Sequence, residues 1–127
     1  MTSLLDTNVL VRFLVGDNVK QRVLAEHWFK EAEHGARTII VTPLVIAEAS
    51  FVLESFYKQK RGEIAAALEV FVSQRWFHVE ERTVLLRLWP LYLKGFHFVD
   101  SYLHAWTAVH GGSVLTFDKD LNALSDR

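Results

Sequence analysis

The sequence predicts an α/β fold, and three observations predict it. Short apolar or β-branched runs alternate with longer stretches whose apolar residues recur at helical spacing. Helix start and stop signals (Asp, Thr-Pro, Gly) stand at the seams between them. At 127 residues, the chain has the length of one ordinary domain and can bury one substantial core. No low-complexity linker or internal repeat divides it, so a single domain over 1–127 is expected.

Residues 3–5, SLL, read as a short buried strand, and the helix that follows stops near Gly16. Asp17 is placed to cap the next helix, residues 18–34, in which Val19, Val23, Leu24 and Trp28 recur at helical spacing before Gly35 stops it. RTIIV, residues 37–41, is short and β-branched, and is the second strand. Thr42 and Pro43 set a cap and a first-turn proline ahead of a helix over 44–57. Residues 61–74 read as helix and 75–81, RWFHVEE, as an edge-type strand. The helix over 82–95 is expected to bend or end at Pro90, because proline removes an intrahelical donor. Residues 99–112 are helical up to their paired glycines. SVLTF, residues 113–117, is expected as a further buried strand, and 118–127 close the chain as a short helix.

Composition narrows the chemistry. There is no cysteine, so disulfides, cysteine-held zinc and thiol nucleophiles are excluded. Lys plus Arg total 14 against 15 for Asp plus Glu, so net charge does not point to a nucleic-acid partner and any basic surface must be local. The N-terminus lacks a basic stretch before its apolar run, and no apolar run reaches the roughly 18 residues that span a bilayer. A cytoplasmic, soluble protein is the expectation.

Carboxylates stand where apolar residues are expected. Asp6 interrupts the run SLLDTNVLVRFL, where a helix cap is the plain explanation. Glu48 has Leu44, Val45, Phe51 and Val52 at three and four residues' distance, which places it on a buried stripe, where a charge needs a partner or a cation. A buried ion pair is its bland alternative. Glu54, with Ser50 and Lys58 around it, reads as a solvated contrast. Asp100 opens a helix whose next-turn neighbours are Leu103 and His104, and capping again competes. Asp118 and Asp120 follow SVLTF, and the carboxyl ends of strands are where ligands collect in open α/β sheets. Asp6 and Asp118 are therefore expected to meet, with Glu48 and Asp100 aimed at the same crevice. Such like charges bind a cation or shift one another's pKa values, and all-oxygen ligation suits Mg²⁺ or Mn²⁺. The natural chemistry is hydrolysis of a phosphodiester by a metal-activated water.

Four segments, LLDTNVLVRFLVGD, the glutamate of TPLVIAEASFVL, the aspartate of FVDSYLHAWTAVHGG and VLTFDKDL, resemble in their order the PIN-domain family. Within that family, the VapC-type toxins of bacterial toxin–antitoxin pairs are the nearest in pattern. The resemblance implies a parallel central sheet flanked by helices in three layers and an Mg²⁺- or Mn²⁺-dependent endoribonuclease. It makes Asp6, Glu48, Asp100 and Asp118 the catalytic and metal-holding quartet. Thr7, Asn8 and Thr116 match small polar residues that support the acids, and Asp120 stands where a further acid is common. It also implies a small antitoxin partner.

Arg12, Lys119 and the trio Lys58, Lys60 and Arg61 are candidates for RNA contact, against the plain reading of basic residues as a solvated face. The tryptophans could stack bases but read first as core, and His104 as a packed helix histidine. Half the residues are hydrophobic, and Phe13, Trp28 and Phe29 load the early helices, which favours a homodimer. Two other readings stay open. A non-cleaving PIN scaffold would bind RNA or protein only. A phospho-receiver domain would need an adjacent acidic pair after the first strand and a lysine just after the last, and LLDTN and VLTFDKD supply neither.

Overall fold

A computed structural model describes residues 1–125. In chain order it runs β1 (Thr2–Leu4), α1 (Thr7–Val15), α2 (Val19–Glu33), β2 (Thr38–Val41), α3 (Pro43–Ser55), α4 (Arg61–Ser73), β3 (His78–Val79), α5 (Arg82–Arg87), α6 (Trp89–Leu93), α7 (Phe98–His110) and α8 (Lys119–Ser125). The sheet has the order β1-β2-β3, and both pairings are parallel. Parallel neighbours need a crossover between them, which α1 with α2 and α3 with α4 provide. Leu4 lies opposite Ile40, and Val41 opposite Val79, so the strand ends point the same way. Among the described residues, no helix is long and apolar enough to cross a membrane.

The core forms where the helices meet the sheet. Leu10, Val41, Ile46, Leu53, Leu68 and Leu85 are completely buried. Phe29, Phe71 and Phe77 stack in one aromatic group, with ring centres 4.5 Å apart for the closest pair, Phe71 and Phe77. Arg82 ties this group down: its guanidinium donates to the carbonyls of Val72 at 2.9 Å, Gln74 at 3.0 Å and Phe77 at 2.5 Å, meeting acceptors left open at the end of α4.

Four local expectations are corrected. Asn18, not Asp17, caps α2: its side chain accepts from the Gln21 amide at 3.0 Å, whereas Asp17 is drawn to Arg12. The break in the 82–95 helix falls at Leu88, and Pro90 sits in the first turn of α6, where its missing donor has no consequence. The edge strand shrinks to His78–Val79. SVLTF forms no strand: Leu115 and Phe117 are 98% and 108% exposed. Gly111 and Gly112, at φ 88° and 95°, turn the chain after α7, and local hydrogen bonds at Thr116 and Asp118 then curl it into α8 in place of a ladder.

Candidate functional site

Parallel register places Asp6 and Thr42 side by side, just past the carboxyl ends of β1 and β2, where the Leu5 amide still donates to the Ile40 carbonyl at 2.9 Å. Asp6 has the extended backbone of a helix cap, φ −90° and ψ 144°, and its carbonyl accepts from Val9 at 3.1 Å. Its side chain makes no cap hydrogen bond. The exposed carboxylate is thus left available, and capping does not explain it. Thr7 is buried beneath it, and Asn8 faces solvent on the first turn of α1.

Glu48 does not lie on a buried stripe. Helix α3 buries Ile46, Ala49, Ser50 and Leu53, and Glu48 shares the opposite face with Leu44 and Phe51, 79% and 68% exposed. Apolar neighbours therefore misled: the stripe they form is real but turned outward. Asp100 stands half-exposed in the first turn of α7, where a helix start favours negative charge. The start of α7 packs along α3, where Ala47, Phe51 and Val99 line one small pocket, and so the neighbours of Glu48 and Asp100 share a seam.

Asp118 is occupied. Its Oδ1 accepts from the amides of Asp120 at 2.9 Å and Leu121 at 3.1 Å, capping α8, and Thr116 Oγ1 accepts from the Asp118 amide at 3.0 Å. Thr116 thus supports the backbone of Asp118 rather than its acid group. Lys119 and Asp120 are exposed in the first turn of α8. Among the described residues, no group of three or more His, Asp or Glu side chains stands close enough to hold a metal ion. The four acids are not drawn into one cluster.

The basic candidates divide. Arg12 donates to Asp17 at 2.9 Å and to the Tyr57 hydroxyl at 3.0 Å, binding the ends of α1 and α3 together. That hydrogen bond holds the Asp17 carboxyl below its ordinary pKa, and burial raises the Tyr57 phenol. Arg61 is a structural clamp rather than a free cation: Nε donates to Glu54 at 2.9 Å, and one Nη reaches the carbonyls of Tyr92 at 2.7 Å and Phe96 at 2.6 Å. Glu54 is accordingly a paired, half-exposed group and not the solvated contrast expected of it. Lys58 and Lys60 remain exposed beside it. Trp89 is core, whereas Trp106 is 41% exposed and stacks on His110. His104 is partly buried, its Nδ1 enclosed without a partner.

Sequence reading passed over one arrangement, the polar seam of Ser50, Glu54, Arg61 and Tyr92 between α3, α4 and α6. Its one sequence signal is Ser50, a hydroxyl on the same buried stripe as Ile46, Ala49 and Leu53.

Comparison with known proteins agrees with the fold. The PIN domain family model matches residues 3–126. A protein described as VapC ribonuclease, from Aquifex aeolicus (strain VF5), is 33% identical over 91 residues, which covers 72% of this chain and 67% of that protein. No solved structure matches. With its parallel sheet, its acid at the carboxyl edge of β1 and a family match over nearly its whole length, the chain belongs to the PIN-domain family.

Proposed function

We propose that this protein is a VapC-like endoribonuclease, the toxin of a toxin–antitoxin pair, which hydrolyses RNA phosphodiester bonds in the cytoplasm. The observation that carries the reading is Asp6: an exposed carboxylate at the carboxyl edge of a parallel sheet, free of the capping bond that its position invites, in a chain of this family. Glu48 and Asp100 are the acids proposed to act with it. Asp118 is proposed as the fourth, with Thr7, Asn8 and Thr116 in support and Asp120 in reserve.

Family membership supports dependence on Mg²⁺ or Mn²⁺ as the source of an activated water. The side chains as they stand do not fit such an ion: no three candidate ligands converge among the described residues, and Asp118 is engaged with α8. What the chain's own residues offer is acceptor capacity at Asp6 and a helix start beside Asp100, with Lys58 and Lys60 as exposed cations for phosphate.

That no three acids converge among the described residues also suits a PIN scaffold that binds RNA without cutting it. Incubating the purified protein with single-stranded RNA and Mn²⁺, beside an Asp6→Asn variant, separates the two. Cleavage by wild type alone supports the nuclease; binding without cleavage by either supports the scaffold.

A homodimer and a small antitoxin are proposed as partners. Leu44 and Phe51 on α3, with Val99 and Trp106 on α7, leave apolar surface for association. Light scattering at micromolar concentration and co-expression with the neighbouring reading frame test these two partners.

A further inference from the structure

Strand β1 lies at the edge of the sheet, with β2 on one side and no strand on the other among the described residues. Its bonds to β2 run through odd-numbered residues: the Met1 carbonyl accepts from the Thr38 amide and the Leu5 amide donates to the Ile40 carbonyl, each at 2.9 Å. Backbone groups alternate sides along a strand, so those of Thr2 and Leu4 face outward, and both residues are exposed. Such a row of unpaired groups is a template for another strand. A pocket of about 280 Å³ adjoins β1, and Ser3, Leu5, Val9, Trp28 and Ile39 are among its walls.

The chain also carries a strand-like run without a sheet. SVLTF, residues 113–117, has the composition of a strand, yet Leu115 and Phe117 stand in solvent. In an extended run these two side chains share one face. Parallel addition to β1 with the strand ends aligned sets Leu115 beside Ser3 and Phe117 beside Leu5. Ser3 and Leu5, with Ile39 opposite Ser3, line the pocket, so this register turns both apolar side chains toward it; a slip of one residue turns them away.

The end of α7 is tied at the opposite edge of the sheet, where His110 Nε2 lies 2.6 Å from Glu81 Oε2, two residues past β3. A strand added outside β1 stands three strand spacings from β3, about 14 Å, whereas the two glycines between His110 and the run span about 7 Å. The run is thus held away from its own β1 and is open to another.

We infer that two copies of this chain exchange residues 113–117, each adding the run as a fourth, parallel strand on the outer edge of the other's β1. Reciprocal exchange pairs both edges and closes at two, the commonest symmetry of soluble oligomers. The same register sets Asp118 of one copy beside Asp6 of the other. Asp118 keeps its α8 cap through Oδ1 and has Oδ2 left over, and the exposed Lys119 brings a positive charge to the same end. Asp6 thereby meets an acid of the second copy, where no three acids converge within one chain among the described residues. The role of this shared site in cleavage rests on the ribonuclease reading; the exchange itself does not.

The chain has no cysteine, so an engineered pair reads without background. Leu4 and Thr116 stand opposite each other in this register, at a separation that a disulfide spans. Leu4→Cys mixed with Thr116→Cys and oxidised is expected to give a linked species of twice the chain mass, which Leu4→Cys mixed with Glu69→Cys, on the exposed face of α4, does not give. Light scattering should show a dimer for wild type and for Phe51→Asp, and a monomer for Leu115→Pro, whose proline removes a ladder donor at an exposed position. A link within one chain in the double variant Leu4→Cys/Thr116→Cys places the run on its own β1 and overturns the exchange. A wild-type monomer overturns it too, as does a dimer that Phe51→Asp breaks and Leu115→Pro does not. With Asp6→Asn and Asp118→Asn each inactive, their mixture should recover about a quarter of the wild-type cleavage rate, since half the dimers are mixed and each of these holds one whole site. No recovery overturns the shared site. A mixed crosslink without RNA cleavage by wild type sinks the nuclease alone, and cleavage by a wild-type monomer sinks the exchange alone.

Discussion

Asp118 Oδ1 accepts the Asp120 amide at 2.9 Å, so the acid expected to complete the quartet serves as the cap of α8. Asparagine caps a helix about as well as aspartate, whereas alanine does not. Asp118→Asn should therefore leave the melting temperature near wild type, and Asp118→Ala should cost about 1 kcal/mol. If Asp118 also acts in cleavage, both variants lose activity alike. An active Asp118→Asn would confine the residue to capping.

Asp6 makes no cap hydrogen bond, and Glu48 and Asp100 make no ion pair among the described residues, so their charges contribute little to folding. Asp6→Asn, Glu48→Gln and Asp100→Asn are each expected to keep their stability within about 0.5 kcal/mol, as surface substitutions usually do. RNA cleavage should fall roughly a hundredfold or more in each. Glu69→Gln, on the exposed face of α4, serves as the control and should match wild type. Equal losses at Glu69 would show that the choice of acids is wrong.

Chelation provides a separate check. Cleavage should cease in excess EDTA and return with Mg²⁺ or Mn²⁺, and either ion should raise the melting temperature by binding only the folded state. Undiminished cleavage in EDTA would remove the metal from the mechanism. Absence of a thermal shift would count against an ion held by the folded state.

Arg61 holds two backbone carbonyls, the Glu54 carboxylate and the Tyr92 ring at once. Arg61→Ala leaves those acceptors unmet and should destabilise the protein by about 2–4 kcal/mol, read as a lower urea midpoint at unchanged slope. Lys58→Ala and Lys60→Ala, which disturb no such network, should leave the midpoint unmoved and weaken RNA binding, most visibly at low salt. A neutral Arg61→Ala would return Arg61 to the solvated face.

Asp17 supplies a pH dependence. Its carboxyl pKa is depressed in the folded state, chiefly by the Arg12 hydrogen bond. The sign follows: the stabilisation is present above the unfolded value of about 3.9 and is lost as pH falls through the lower folded value. Wild type should lose melting temperature below about pH 4 more steeply than Asp17→Asn. Parallel acid profiles for the two would show that the pair does not contribute to stability.

What the sequence determined by itself was the alternation of elements and the family. Thr42-Pro43, Gly16 and the β-branched TIIV act through local backbone preference, and local preference is written in neighbouring residues; α3, the end of α1 and β2 stand where those signals put them. Which face of a helix turns inward is not local. Leu44 and Phe51 surround Glu48 as a core stripe would, yet Ile46, Ala49 and Leu53, one step round the helix, are the residues that are buried. Nor does an apolar run reveal whether it will find a strand edge. SVLTF has the composition of a buried strand, but two left-handed glycines and the hydrogen bonds at Thr116 and Asp118 lead it into α8 with Leu115 and Phe117 in solvent. Tertiary structure alone decided the pairings between distant charges, Arg61 with Glu54 and Arg12 with Asp17 and Tyr57, because such partners are chosen by the packing of whole elements and not by the residues beside them.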